Sequence, residues 1–301
     1  MLRLVSGLIL SLALSGCGNA EPRPAPQSLA RTQADAPYRF DAPDARFDLP
    51  GRLDEISGLT DLGGGRLGAV QDEKGNLYVL DAATGEVVHE HDFGGGGDYE
   101  GVGLVGDRVV VLRSDGRLFV ILDWQTEKTR AATLDTGLHG SCDAEGLAFD
   151  TEGERLLVAC KERAGRGLRG ARALYAFDLN RQALVPEPAF VVWADSLAGM
   201  ERSLDEAVRS AVRPLSDINA FKPSAVGIHP LTGEVYVLSS VAKRVLVLAR
   251  GGTIAAAWPL PSRLLPQPEG LAFLPDGTLF IASEAAGGDA TLLRFAYHPV
   301  P

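Results

Sequence analysis

The side chains best placed for chemistry are three glutamates that recur in one local setting: Glu100-Gly101-Val102, Glu145-Gly146-Leu147 and Glu269-Gly270-Leu271. Ser57-Gly58-Leu59 and Ser224-Ala225-Val226 share that setting with a hydroxyl in place of the carboxyl. Three carboxylates brought to one point repel each other unless a cation joins them. Calcium meets that need, because it takes about six to eight oxygen ligands in a flexible geometry. Zinc does not, since no histidine or cysteine cluster accompanies the glutamates; His89, His91, His139, His229 and His298 do not fall at metal spacing. Two other readings stay open. Each glutamate can cap backbone amides of the next repeat, which needs no metal. A carboxyl with a raised pKa can instead act as a general base.

The elements that must position these residues are repeats. The five settings lie roughly 43–45 residues apart, with one gap of about 79. Each leads into a Gly- or Asp-containing turn, a β-branched or aliphatic run, a polar loop and a third run. Short strands alternating with such turns mean antiparallel β structure. About four strands per ~40–45 residues is the pattern of a β-propeller blade. The sequence therefore predicts an all-β, five-bladed propeller. In such a disc the first strand of each blade lines the channel, so the glutamates gather at one mouth. The loops after the second strands, Asp72-Glu73, Ser114-Asp115, Lys161-Glu162, Ser239-Ser240 and Glu284, join them there. The fifth repeat has no fourth strand of its own, and residues 38–49 are expected to supply it and close the ring.

The long gap has a different period. Leu197, Met200, Leu204, Val208, Ala211, Val212 and Leu215 follow helical spacing, with Asp205 and Arg209 four apart on the other face. This predicts an amphipathic helix inserted between blades three and four, within 195–221, lying over one face of the disc.

The same mouth face should carry a basic loop. Arg163, Arg166, Arg169 and Arg172 recur every third residue. They are read either as a solvated loop or as a site for an anionic ligand, a partner carboxylate or lipid head groups. Cys142 precedes the first strand of blade three and Cys160 ends the second, its antiparallel neighbour, so the two are expected to form a disulfide, with two buried thiols as the alternative. Gly63-x-Gly65-x-x-Gly68 and Gly165-x-Gly167-x-x-Gly170 match a dinucleotide fingerprint in form only, because strand patterns follow where a helix is required.

The amino terminus is an address. Arg3 precedes an apolar run, Leu4 to Leu14, which is too short for a membrane-spanning helix and fits a secretory leader. Leu14-Ser15-Gly16-Cys17 resembles a bacterial lipoprotein signal, which implies cleavage after residue 16 and lipidation of Cys17. Gly18, with no Asp after the cysteine, favours the outer membrane, facing the periplasm. Residues 17–37, with Pro22, Pro24, Pro26 and Pro37, read as a tether, and 38–301 as the propeller. Hydrophobic residues make up 46% and the net charge is −10. The first excludes a wholly disordered chain and the second a broad nucleic-acid surface.

Glu55-Ile56-Ser57-Gly58-Leu59, Asp72-Glu73-Lys74-Gly75-Asn76-Leu77-Tyr78, Asp98-Tyr99-Glu100-Gly101, Asp143-Ala144-Glu145-Gly146-Leu147, Lys222-Pro223-Ser224 and Pro268-Glu269-Gly270-Leu271 together resemble the SdiA-regulated family. The resemblance covers about residues 45–297. It implies a five-bladed propeller distantly similar to NHL-repeat propellers, a calcium site and a binding role. Calcium is placed on Glu100, Glu145 and Glu269 because they fill the Glu-Gly positions. The expected function is a monomeric, lipid-anchored binding module for a protein or small ligand. The alternative is a calcium-dependent hydrolase, similar to esterase, phytase or lactonase propellers, with its site at the channel mouth.

Overall fold

The computed structural model describes residues 35–126, 131–203 and 217–299. The leader, Cys17 and most of the tether lie outside them. So do positions 204–216, which hold the second half of the predicted helix.

Five antiparallel sheets follow one another along the chain. The first holds β2 (Ile56–Gly63), β3 (Arg66–Gln71), β4 (Lys74–Asp81) and β5 (Val87–Gly96); the second holds β6 (Tyr99–Val105), β7 (Arg108–Arg113), β8 (Arg117–Ile121) and β9 (Ala131–Asp135). The third holds β10 (Ala144–Asp150), β11 (Arg155–Cys160) and β12 (Ala171–Asp178), whose outer edge is shared by β13 (Ala183–Leu184) and β14 (Phe190–Trp193). The fourth holds β15 (Ala225–Ile228), β16 (Val235–Ser239), β17 (Arg244–Leu248) and β18 (Ile254–Pro259). The fifth is β19 (Pro268–Phe273), β20 (Leu279–Ser283) and β21 (Thr291–Phe295), completed by β1 (Ala45–Asp48) from the other end of the chain. Ala45 pairs with Arg294 and Phe47 with Leu292, so the seam is closed by backbone hydrogen bonds as expected.

The inner strands β2, β6, β10, β15 and β19 each touch the next, and β19 touches β2, which makes the ring. The middle strands are sandwiched between neighbouring blades. β16 and β17 are therefore buried at every position, and their sequences are nearly continuous apolar runs. The outer β9 has no fully buried residue, as befits an edge facing water. The core between blades four and five gathers Tyr38, Phe40, Tyr236, Trp258 and Phe295, so residues just before β1 also pack inside.

α1 (Ala194–Ser203) lies between β14 and β15, where an inserted helix was predicted. Its Leu197 and Met200 are buried with Val192, Phe221 and Ala242 in the core shared by blades three and four. The apolar stripe is core over the described turns. Among the described residues no helix is long and apolar enough to cross a membrane.

Candidate functional site

The mouth of the channel is built from β-bulges. Strand pairing slips between Ile56 and Gly58, Tyr99 and Gly101, Ala144 and Gly146, and Pro268 and Gly270. The skipped residues are Ser57, Glu100, Glu145 and Glu269. A bulge leaves one residue out of the ladder and re-aims its side chain. Repeated in successive blades, it sets a ring of polar side chains at one end of the inner strands. The glycine that follows serves close approach. A Cβ on Gly101 would stand 2.8 Å from the Leu147 nitrogen, and one on Gly146 2.8 Å from the Val226 nitrogen, each in the next blade.

The two serines in the ring stitch blade to blade. Ser57 Oγ donates to the Tyr99 carbonyl at 2.5 Å and Ser224 Oγ to the Pro268 carbonyl at 3.0 Å. Blade-to-blade tethering, considered above for the glutamates, is thus seen at the serines and onto carbonyls rather than amides. The glutamates turn to a lysine. Lys161, just past β11, donates from Nζ to Glu145 Oε1 at 2.8 Å, and Glu145 is only 3% exposed.

The electrostatics centre on that lysine. Burial works against the Lys161 ammonium, but Glu145, Glu100 and Glu269 outweigh it and raise its pKa. Burial pushes Glu100 up to about 10, reinforced by Glu145 and Asp98. Burial also lifts Glu145 to about 7, with Lys161 pulling the other way. Glu269 is raised by burial against Lys161, Ser240 and Ser224. Glu284 rises to about 8 through burial and the charges of Glu269, Glu55 and Asp72. Asp72 rises to about 6 through burial, Glu55 and Asp98. The three predicted glutamates therefore share one electrostatic site, joined by Asp72 and Glu284 from the second-strand loops. The lysine was visible in the sequence at the same loop position but was not counted as the ring's cation.

An all-oxygen donor set suits calcium in type. Among the described residues, however, no three His, Cys, Asp or Glu side chains are grouped to hold a metal ion. The Lys161 ammonium stands among the carboxylates instead. As arranged, the residues do not fit the ion, and no step is derived through it.

The arginine loop adjoins the mouth. Cys142 and Cys160 are joined by a disulfide, with Cα atoms 5.2 Å apart, so neither offers a thiolate for Cys–His chemistry. His139 is exposed and its Nδ1 lies 3.3 Å from Asp135. Beyond Cys160 the loop is pinned by Tyr175 Oη donating to the Ala164 carbonyl at 2.8 Å and Arg163 Nη1 to the Gly140 carbonyl at 3.0 Å. Arg163, Arg166 and Arg169 are exposed on it. Arg172 corrects the loop reading: it is the second residue of β12 and only 5% exposed. The strand begins earlier than the apolar run suggested, because Arg172 pairs with Val192 across the sheet. Sequence reasoning missed Arg244 altogether. It opens β17, is fully buried, and none of its three guanidinium nitrogens has a hydrogen-bond partner. Burial brings its pKa down to about 10, against the pull of Glu201.

The family model described as SdiA-regulated matches residues 35–286. No curated protein matches the chain. Among solved structures, glutaminyl cyclase of Myxococcus xanthus is similar at a TM-score of 0.55 and 15% identity, over 85% of this chain and 96% of that one. The PQQ-bound form of an aldose sugar dehydrogenase from Streptomyces coelicolor gives a TM-score of 0.48 and 15% identity, over 85% and 99%. At these identities the likeness is one of fold.

Proposed function

We propose, for a chain that belongs to the SdiA-regulated family, a lipid-anchored binding module of the bacterial envelope. The disc holds a protein or small ligand on the face that bears the glutamate ring and the arginine loop. Cys17 is the anchor, and the outer membrane, facing the periplasm, is the location. The lipoprotein-like leader supports the anchor, and the Cys142–Cys160 bridge agrees with an oxidising compartment.

The observation that carries the binding reading is Lys161 among the glutamates. It answers the ring's charge from within the protein, where a calcium-dependent hydrolase needs a metal with an open position. The two cavities described for the disc are lined by other residues, not by Glu100, Glu145 or Glu269. A second reading has one observation in its favour: Glu145, lifted to about 7 beside a lysine, has the pKa of a general acid–base. The structurally similar Myxococcus protein is an enzyme by its name.

The experiment pairs capture with turnover. Envelope extract is passed over immobilised protein, over Glu284→Lys at the mouth, and over Asp107→Lys in the exposed β6–β7 turn on the other face. A partner held by the parent and by Asp107→Lys but lost from Glu284→Lys supports the module. Turnover of ester or phosphate-ester substrates with added calcium, abolished in Glu145→Gln, would replace it with the hydrolase.

A further inference from the structure

The face that carries the acidic ring also carries its opposite. A cavity of about 460 Å³ lies under the arginine loop, lined by Arg163, Arg166, Arg169, Arg172, Glu162 and Asn219 among others. That volume falls in the usual range for small-ligand sites, roughly 300–1,000 Å³. Four arginines and one carboxylate line it, in a chain whose net charge is −10, and Asp217 beside the lining adds a second negative pull on Arg172. The carboxylate is already engaged, since Glu162 accepts a hydrogen bond from Lys222.

Arg172 is the anchor of the argument. It is 95% buried by its 5% exposure, its Nη1 donates to the Ala171 carbonyl at 3.1 Å, and its Nε has no partner. An unmet buried donor is costly, more so on a charged group, so such groups are rare unless something external answers them. Arg166 and Arg169 make no ion pair among the described residues, and both project from a loop already fixed at both ends. The disulfide ties its start, the Tyr175–Ala164 hydrogen bond its middle, and a hydrogen bond from the Ala194 nitrogen to the Gly170 carbonyl at 3.0 Å its end. Gly165 belongs to this fixation. Its φ is 106°, and a Cβ there would stand 2.3 Å from Tyr175 Oη. The cations are held in place before any ligand arrives, which lowers the ordering cost of binding.

We propose that this cavity binds a phosphate group, with Arg172 as the buried fork and Arg166 and Arg169 closing over it from the rim. A carboxylate is satisfied by one guanidinium fork. A phosphate monoester carries about −1.5 to −2 charge and three acceptor oxygens, and so uses several forks at once. A lipid head group such as phosphatidylglycerol presents the same phosphoryl acceptors as a diester, with one charge and two free oxygens. None of the mouth glutamates takes part, so this site stands or falls apart from the mouth reading.

The test uses the full chain carrying Cys17→Ser, so that no acyl group floats it on vesicles. Inorganic phosphate, glycerol phosphate and acetate are titrated at low salt and followed by calorimetry. Flotation with phosphatidylglycerol vesicles runs beside them. Phosphate or glycerol phosphate should bind at least ~10-fold more tightly than acetate. The exposed pair Arg166→Gln with Arg169→Gln should weaken binding ~10-fold with an unchanged circular dichroism spectrum, and Arg172→Lys should abolish it. Binding to vesicles but not to soluble phosphates, lost in the double variant, assigns the phosphate to a lipid; the reverse assigns it to a soluble ester. Equal affinity for acetate, or a double variant that binds phosphate and vesicles like the parent, overturns the proposal.

Discussion

At the channel mouth, Lys161 stands among Glu100, Glu145 and Glu269, and the buried carboxyl of Glu145 has its donor at 2.8 Å. Past the loop that follows Lys161, in β12, Arg172 is nearly as buried as Glu145 yet keeps an unanswered Nε. Arg244, one blade on, is fully buried with three unanswered nitrogens. Both regions concentrate charge under low solvent access. At the mouth an internal base answers Glu145 directly, and the raised pKa values of the surrounding carboxyls lower the charge that one lysine must meet, although Asp72 Oδ1 has no hydrogen-bond partner there. Glu162 and Asp217 pull on Arg172 and Glu201 on Arg244, yet Arg172 Nε and the three Arg244 nitrogens keep no hydrogen-bond partner, so part of the cost of burying them stays in the folded state until an anion arrives. Carboxylates alone drew attention to the mouth. The pairing of each buried charge, more than the number of charges, separates a closed cluster from one open to a ligand.

The disulfide joins the two regions, since Cys142 leads into β10 with Glu145 and Cys160 leads to Lys161 and the loop. Its removal should give the largest effect. With 18 residues of separation, Cys142→Ser with Cys160→Ser should lower unfolding free energy by about 3 kcal/mol, read by urea denaturation. An unchanged midpoint would mean that the Tyr175 and Arg163 hydrogen bonds hold the loop without it. Next comes Lys161→Met, which takes the cation from the ring and leaves Glu145 buried beside like charges. Lys161 is 33% exposed against 4% for Glu145, so the loss should be about 2 kcal/mol, less than for a fully buried pair. It should be larger at pH 8 than at pH 6, because the bare carboxyls are harder to keep ionised. A loss independent of pH would show that the lysine serves through its hydrocarbon stem.

The ring was legible because it repeats. Five settings of one type, each followed by a turn and apolar runs, leave little besides a propeller, and the closing strand at Ala45–Asp48 follows from the missing one at the end. The bulges at Glu100, Glu145 and Glu269 were not legible as bulges, since a single slipped pair leaves the period of the flanking residues intact. Lys161 was legible in place but not in role: whether a lysine at a loop end turns inward depends on the field of side chains from its own blade and two others. Arg172 was assigned to the loop for a similar reason. Its spacing matched the three arginines before it, and only pairing with Val192 puts it in the sheet. Arg244 had no repeat to announce it, because the cover over a strand start comes from elsewhere in the chain.

The smallest effect is the most discriminating. Glu100 has a folded-state pKa of about 10 against an ordinary 4.5, raised first by burial. The native state therefore holds a proton that the unfolded chain releases from pH ~4.5 upward. The stability that proton confers is complete below about 4.5 and is lost as pH climbs towards 10. Glutamine cannot ionise, so Glu100→Gln should match the parent near pH 4.5 and be more stable by about 1 kcal/mol at pH 8, well below the full linkage value because Glu100 keeps some contact with water. The gain should appear as a melting temperature that falls less steeply with pH than the parent's. Stabilisation on losing an acid would show that the mouth remains over-acidic even with Lys161 in it. If Glu100→Gln is instead less stable at pH 8, and more so with calcium present, the carboxylate is ionised and answered by a bound cation. The mouth would then resemble the arginine cavity, a charge cluster completed from outside, and the contrast between the two regions would collapse.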